Sequence, residues 1–192
     1  GVVSSTATTL STAQMVCRQP ALQTAGLMMV ALASGVAFLR VLAIVAVVAP
    51  EAVGLCAGPL AILAGLAMAP VVAGWFWRRP SLQSAPAQKN PAQLGSALLF
   101  GGMYVGILFA LAAARRYWAD QGLYLVAGLA GLADLDAISL STARLMAEGN
   151  IETSLGWRLM VTAGLANLLF KTVLAGLLAG AAFFHHLLRW HA

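Results

Sequence analysis

Charged side chains are scarce in this sequence: only 9% of its 192 residues are Asp, Glu, Lys or Arg, and six of them are acidic. So few ions cannot solvate the surface of an ordinary soluble domain, particularly where 61% of residues are hydrophobic and the mean hydropathy is +0.87. Cysteine is almost absent. Cys17 and Cys56 lie in or beside apolar segments without CxxC spacing, which excludes a disulfide scaffold and leaves both as small buried side chains. The amino terminus lacks a basic stretch leading into an apolar core, so it does not read as a cleavable signal peptide. There is no HExxH, no phosphate-binding glycine loop and no Ser/His/Asp set, and the expectation is a protein that is not an enzyme and carries no cofactor. Only one hydrophilic stretch of any length exists, RRPSLQSAPAQKNPAQ at 78–93. Its three prolines and run of Ser, Gln and Asn mark a solvated linker.

What is abundant is apolar sequence in lengths suited to a membrane. Crossing a hydrocarbon core of roughly 30 Å takes about 20 helical residues, and apolar stretches of that order recur along the chain. The first ends at Cys17-Arg18-Gln19-Pro20, and others cover about 21–49, 52–77, 94–114, 121–147 and 154–188. The expected fold is therefore all-α, a polytopic membrane helix bundle of about six transmembrane segments. Its predicted localisation is the cell membrane, as a multi-pass protein of a bacterial or archaeal inner membrane. The formal charge of +5 sits largely in arginines at segment ends, such as Arg78, Arg79, Arg115 and Arg116. These read as topology signals and headgroup contacts, not as a nucleic-acid surface. His185, His186 and His191 close the chain beside Arg189 and Trp190. Adjacent histidines cannot share one helical face, so an interfacial anchor is preferred there to a metal site.

The most informative pattern is a duplication. GVVSSTATTLSTAQM at 1–15 and GLADLDAISLSTARL at 131–145 align without gaps and share the block Leu-Ser-Thr-Ala, while Ser4 and Thr6 of the first copy stand where the second has Asp134 and Asp136. The similarity continues until Arg40 falls opposite Lys171, so each polar motif is followed by a long helix with one cation. The repeat units span about 1–49 and 94–188, joined by a helix at 52–77 and the polar loop at 78–93. The second motif is preceded by a complete apolar segment and the first is not. On that ground the chain, taken as a single membrane domain over 1–192, is expected to be truncated at its amino terminus.

Intramembrane carboxylates are costly unless paired, hydrated or used, which makes Asp134 and Asp136 the first candidates for a site. At i, i+2 they lie about 200° apart on a regular helix, so they converge only where the backbone unwinds. Gly128 and Gly131 just upstream favour such a break, and the motif helices are expected to be broken. Asn167 and Lys171, at i, i+4, share one face, and a Lys171 ion pair with Asp134 or Asp136 is the natural expectation. Ser139, with Ser141 and Thr142, supplies hydroxyls beside the acidic copy; Ser4, Ser5, Thr6 and Thr9 supply them in the other, with Arg40 as its cation. Burial disfavours a carboxylate's charged form and a neighbouring cation favours it, so such a site suits exchange of a proton or small cation. Hard cations take oxygen ligands, which this set offers, although which metal, if any, stays open. An anion held between Arg40 and Lys171 is the competing possibility.

Three stretches carry a family resemblance: GVVSSTATTLSTAQ at the start, NPAQLGSALLF at 90–100, and DQGLYLVAGLAGLADLDAISLSTARL at 120–145 followed by ANLLFKTVLAGLL at 166–178. They resemble the domain-of-unknown-function family numbered 4010, the carboxyl-terminal membrane half of bacterial and archaeal proteins whose amino-terminal half is MgtC/SapB-like. The resemblance covers nearly the whole chain. It implies a multi-helix membrane protein and, as a possible partner, the MgtC-like domain of a full-length chain; it assigns no activity and no residue roles.

The functional expectation is an ion- or proton-coupled transporter or channel-like module, with the lipid bilayer and a small cation or proton as its partners and a homo-oligomer as a possible assembly. The alternative is a non-transporting membrane scaffold or regulatory protein, in which the charges neutralise one another and fix helix packing.

Overall fold

The computed structural model describes Thr9, Thr12 and residues 23–77 and 93–179. Among the described residues regular structure is entirely helical: α1 (Gln23–Val48), a 3-10 turn (Pro50–Ala52), α2 (Val53–Trp77), α3 (Gln93–Ala133), α4 (Leu135–Ala147) and α5 (Thr153–Ala179). Thr9 and Thr12, from the first polar motif, are also helical and buried.

Proline punctuates the first connection. Pro50 disfavours helical backbone at the residue before it, and Ala49 accordingly leaves the helical region at φ −135° and ψ 65°. The Ala52 amide closes the turn on the Ala49 carbonyl at 2.9 Å, and α2 starts at once. Pro59 and Pro70 sit inside α2 without ending it; each removes one amide from the ladder, a defect that apolar membrane helices tolerate.

α3 is 41 residues long, which as a straight rod would measure about 60 Å. It is not straight. A Cβ placed on Gly122 would stand 2.9 Å from the Ala114 carbonyl oxygen, whereas eight residues of straight helix separate these positions by about 12 Å. The axis therefore turns sharply between residues 114 and 122, at Arg115-Arg116-Tyr117-Trp118, the place where the sequence puts an interface between two segments. Helical hydrogen bonding continues around the bend, which the apolar pattern does not foretell.

α4 ends in a Schellman cap. The Gly149 amide reaches the Met146 carbonyl at 3.0 Å, the Asn150 amide reaches Leu145 at 2.8 Å, and Gly149 takes φ +69°, a left-handed conformation that glycine adopts without penalty. Four residues later α5 begins, and it meets α4 where Gly156 faces Met146.

Backbone contacts divide the chain into two compact units. The first comprises Gly1–Val36, Ala64–Ala87 and Leu168–Ala192; the second comprises Ala37–Leu63 and Gln88–Asn167. Within the first, Gly35 packs directly on Met68. Within the second, Phe38 and Leu63 press against Gly164, and Val41, Val45, Ile138, Leu159 and Met160 are fully enclosed. These boundaries cut across the sequence repeats: the second motif lies in the same unit as Arg40, and the first motif in the same unit as Lys171.

Among the described residues two helical stretches are long and apolar enough to cross a membrane, Ala25–Val48 and Pro50–Val72. Cys56, within the second stretch, is a buried free thiol, while Cys17 lies outside the described residues, as do the linker and the three histidines.

Candidate functional site

All six carboxylate side chains of the chain belong to the second unit, and its polar centre is built around a break in the helix ladder. The Asp134 amide still bonds the Ala130 carbonyl at 2.8 Å, but at Asp134 the backbone becomes extended, φ −153° and ψ 118°. An uninterrupted helix would bond the amides of residues 135–137 to the carbonyls of residues 131–133. Here Asp134 caps α4 instead: its Oδ1 accepts from the Asp136 amide at 2.8 Å and the Ala137 amide at 3.0 Å. The other side of the break is served by Asn167, whose Nδ2 donates to the Gly131 carbonyl across 2.7 Å. A negative side chain thus covers one severed helix end and an amide covers the other.

That second bond requires α3 and α5 to lie very close. A Cβ on Gly131 would collide with the Ala163 carbonyl and Cα, and Ala163 lies one turn before Asn167 on the same face of α5. Glycine at 131 is a packing requirement, not only a helix-loosening one.

Asp136 points elsewhere. Its Oδ2 meets Arg40 Nη2 at 2.6 Å, a short charge-assisted contact between side chains that are 14% and 30% exposed. Further along α4, Ser139 and Thr142 are fully buried, and neither hydroxyl has a hydrogen-bond partner among the described residues. The Asn167 Oδ1 atom is buried in the same condition. Ser141, by contrast, donates to the Ala137 carbonyl of its own helix at 2.9 Å. Asp136 and Ser139 are i, i+3 neighbours, so a carboxylate and an uncommitted hydroxyl share one side of α4.

The structure thus separates the two aspartates by role: Asp134 holds backbone amides, and Asp136 holds Arg40, the residue that the repeat alignment sets opposite Lys171. Lys171 is 2% exposed. In the first unit it lines a cavity of about 350 Å³ together with Ser34 and Thr172, whose hydroxyls donate to Val30 and Leu168 carbonyls and keep acceptor capacity on oxygen. Thr9 is fully buried, like its counterpart Ser139, and Thr12 is buried like Thr142. The duplicated motif therefore buries hydroxyls at two matching positions, one just before the Leu-Ser-Thr-Ala block and one within it. Ser4, Ser5 and Thr6 lie outside the described residues.

Sequence reasoning did not single out the Gly131 carbonyl or Thr12 as part of the polar centre. The first follows from the break itself, since an unwound turn frees the carbonyls before it; the second was available in the shared block. Among the described residues no three His, Cys, Asp or Glu side chains gather as metal ligands.

The family model described as Domain of unknown function (DUF4010) matches residues 1–179. The chain belongs to this family. A relative from Aquifex aeolicus (strain VF5), described as an uncharacterized protein, is 34% identical over 84 residues, which cover 44% of this chain and 36% of the relative. No solved structure matches the chain.

Proposed function

We propose that this chain is a multi-pass membrane module that moves a small cation or proton, with Asp136 and Arg40 at its working centre. The observation that carries the reading is the interrupted helix. α4 has 13 residues, about 20 Å, too short to span alone. Together with the arm of α3 after the bend it makes one span broken at Asp134. Discontinuous spans of this kind bring freed carbonyls and a positive helix end to mid-membrane, the usual composition of ion sites in secondary transporters.

Membrane residence is supported by surface chemistry. Only 22% of the Pro50–Val72 window is buried, whereas the core helix of a soluble protein would be mostly covered. Val47 is 82% exposed and Phe109 78%, side chains that suit lipid and not water. In this reading the described membrane-embedded helices are α1, α2, the bent α3 continued by α4, and α5.

Mechanistically, the pair works by competition. A cation arriving at Asp136 replaces the guanidinium as the counter-charge, and Ser139, Thr142 and Asn167 Oδ1 offer further oxygens of the type hard cations prefer. Arg40 displaced from Asp136 then repels a second cation, so each cycle admits one charge. Cation- or pH-driven flux into proteoliposomes tests this: the wild-type chain supports flux and Asp136→Asn abolishes it, and equal flux in both would remove the site.

A second reading, a non-transporting scaffold or regulatory partner, draws on the same geometry. Asp134 is occupied by backbone amides and Asp136 by Arg40, which is how a purely structural polar centre is satisfied. Under it, replacing Arg40 and Asp136 together by apolar residues leaves folding and partner binding intact.

A further inference from the structure

The sharp bend of α3 creates a second feature, unrelated to the broken helix. In the second unit a cleft of about 660 Å³ opens beside the bend. Its lining is largely apolar, including Leu111, Leu123, Leu145 and the exposed Phe109, and Arg115, Arg116, Tyr117 and Asn150 are among the residues that complete it. Leu111 and Leu123 are almost completely buried, while both arginines are exposed. The cleft is therefore greasy within and cationic at one edge.

We propose that this cleft seats one anionic phospholipid, its phosphate on Arg115 and Arg116 and an acyl chain along the apolar walls. Charge complementarity chooses this occupant. No carboxylate lines the cleft, and of the nearby acids Glu148 accepts from Arg144 at 2.7 Å and from the Asn150 side-chain Nδ2 at 3.1 Å, while Asp120, within the bend, is exposed and outside the lining. Arg115 and Arg116 both line the cleft at the bend of α3, and each guanidinium is a planar set of donors that fits phosphate oxygens. Tyr117 and Trp118, 73% and 67% exposed with ring centroids 6.5 Å apart, mark the headgroup level where aromatic side chains accumulate. A zwitterionic lipid offers the same chain but cancels the phosphate charge, and a soluble phosphate offers the charge without the chain.

The inference rests on the membrane reading given above, and its test keeps the two apart. The full chain is first recovered from carbonate-washed membranes, then purified in detergent and titrated with phosphatidylglycerol, phosphatidylcholine or glycerol phosphate while its thermal unfolding and its bound lipid by native mass spectrometry are followed. Phosphatidylglycerol alone is expected to stay bound and raise the unfolding temperature. The double variant Arg115→Gln, Arg116→Gln should bind it about thirtyfold more weakly, given roughly one kcal/mol for each basic residue near an anionic headgroup. Leu123→Asn, which alters the wall and spares the arginines, should weaken lipid binding as well. Equal binding of phosphatidylcholine, equal stabilisation by glycerol phosphate, or unchanged binding in the arginine variant overturns the lipid site while leaving membrane residence intact. Absence of the chain from washed membranes overturns both.

Discussion

Removing one member of the Arg40–Asp136 pair gives the sharpest energetic test of the polar centre. Two unit charges about 4 Å apart interact by about 4 kcal/mol at an effective dielectric constant near 20. Arg40 remains 30% exposed, so solvent screening reduces this to about 2 kcal/mol. Arg40→Gln and Asp136→Asn should therefore each lower unfolding stability in detergent by about 2 kcal/mol, because each leaves the opposite charge in a site built for an ion pair. The double variant should lose about the same amount as either single one, since its neutral groups no longer need compensation. The assay is a double-mutant cycle read by chemical or thermal unfolding, with a coupling of about 2 kcal/mol as the expected result. Costs that add to within about 0.5 kcal/mol, the behaviour of independent sites, would refute the pairing.

Two further perturbations probe the break itself. Asp134→Ala removes the cap from the Asp136 and Ala137 amides and should cost about 1 kcal/mol, while Asp134→Ser, still able to accept from those amides, should recover most of it; equal losses measured by unfolding in detergent would exclude the capping role. Gly131→Ala puts a methyl against the Ala163 backbone and should destabilise by about 1–3 kcal/mol through forced separation of α3 and α5, whereas the same change at Gly128, which has open space around its Cβ position, should be neutral or slightly stabilising.

The helical class was legible because apolar runs of membrane length recur with little charge between them. The neighbourhood of the broken turn could also be read: two aspartates at i, i+2 after two glycines fit poorly on one regular helix, and the backbone at Asp134 is extended. The division of labour between the aspartates could not be read. A capping aspartate and an ion-paired one look alike in sequence, and only the fold brings Arg40, 96 positions before Asp136, to its carboxylate. The bend of α3 was visible as an interfacial signature at Arg115 to Trp118, but its continuity as one helix and the close approach of Ala114 to Gly122 are features no periodicity encodes. Likewise, the repeat announced equivalent halves, yet the compact units combine each motif with the cation-bearing residue of the other repeat, an exchange that alignment alone cannot express.

The proposed movement of an ion through the Asp136–Arg40 centre has a direct functional test. It is tested most directly by cation- and pH-driven flux in proteoliposomes containing wild type, Asp136→Asn, Asp134→Ser and the exchanged pair Arg40→Asp, Asp136→Arg. Flux that survives Asp134→Ser but disappears in Asp136→Asn and in the exchanged pair is the predicted result, because the cap is structural and the carboxylate's position on α4 is functional. Flux that persists in Asp136→Asn at the wild-type rate, or that the wild-type chain never supports, would contradict the account.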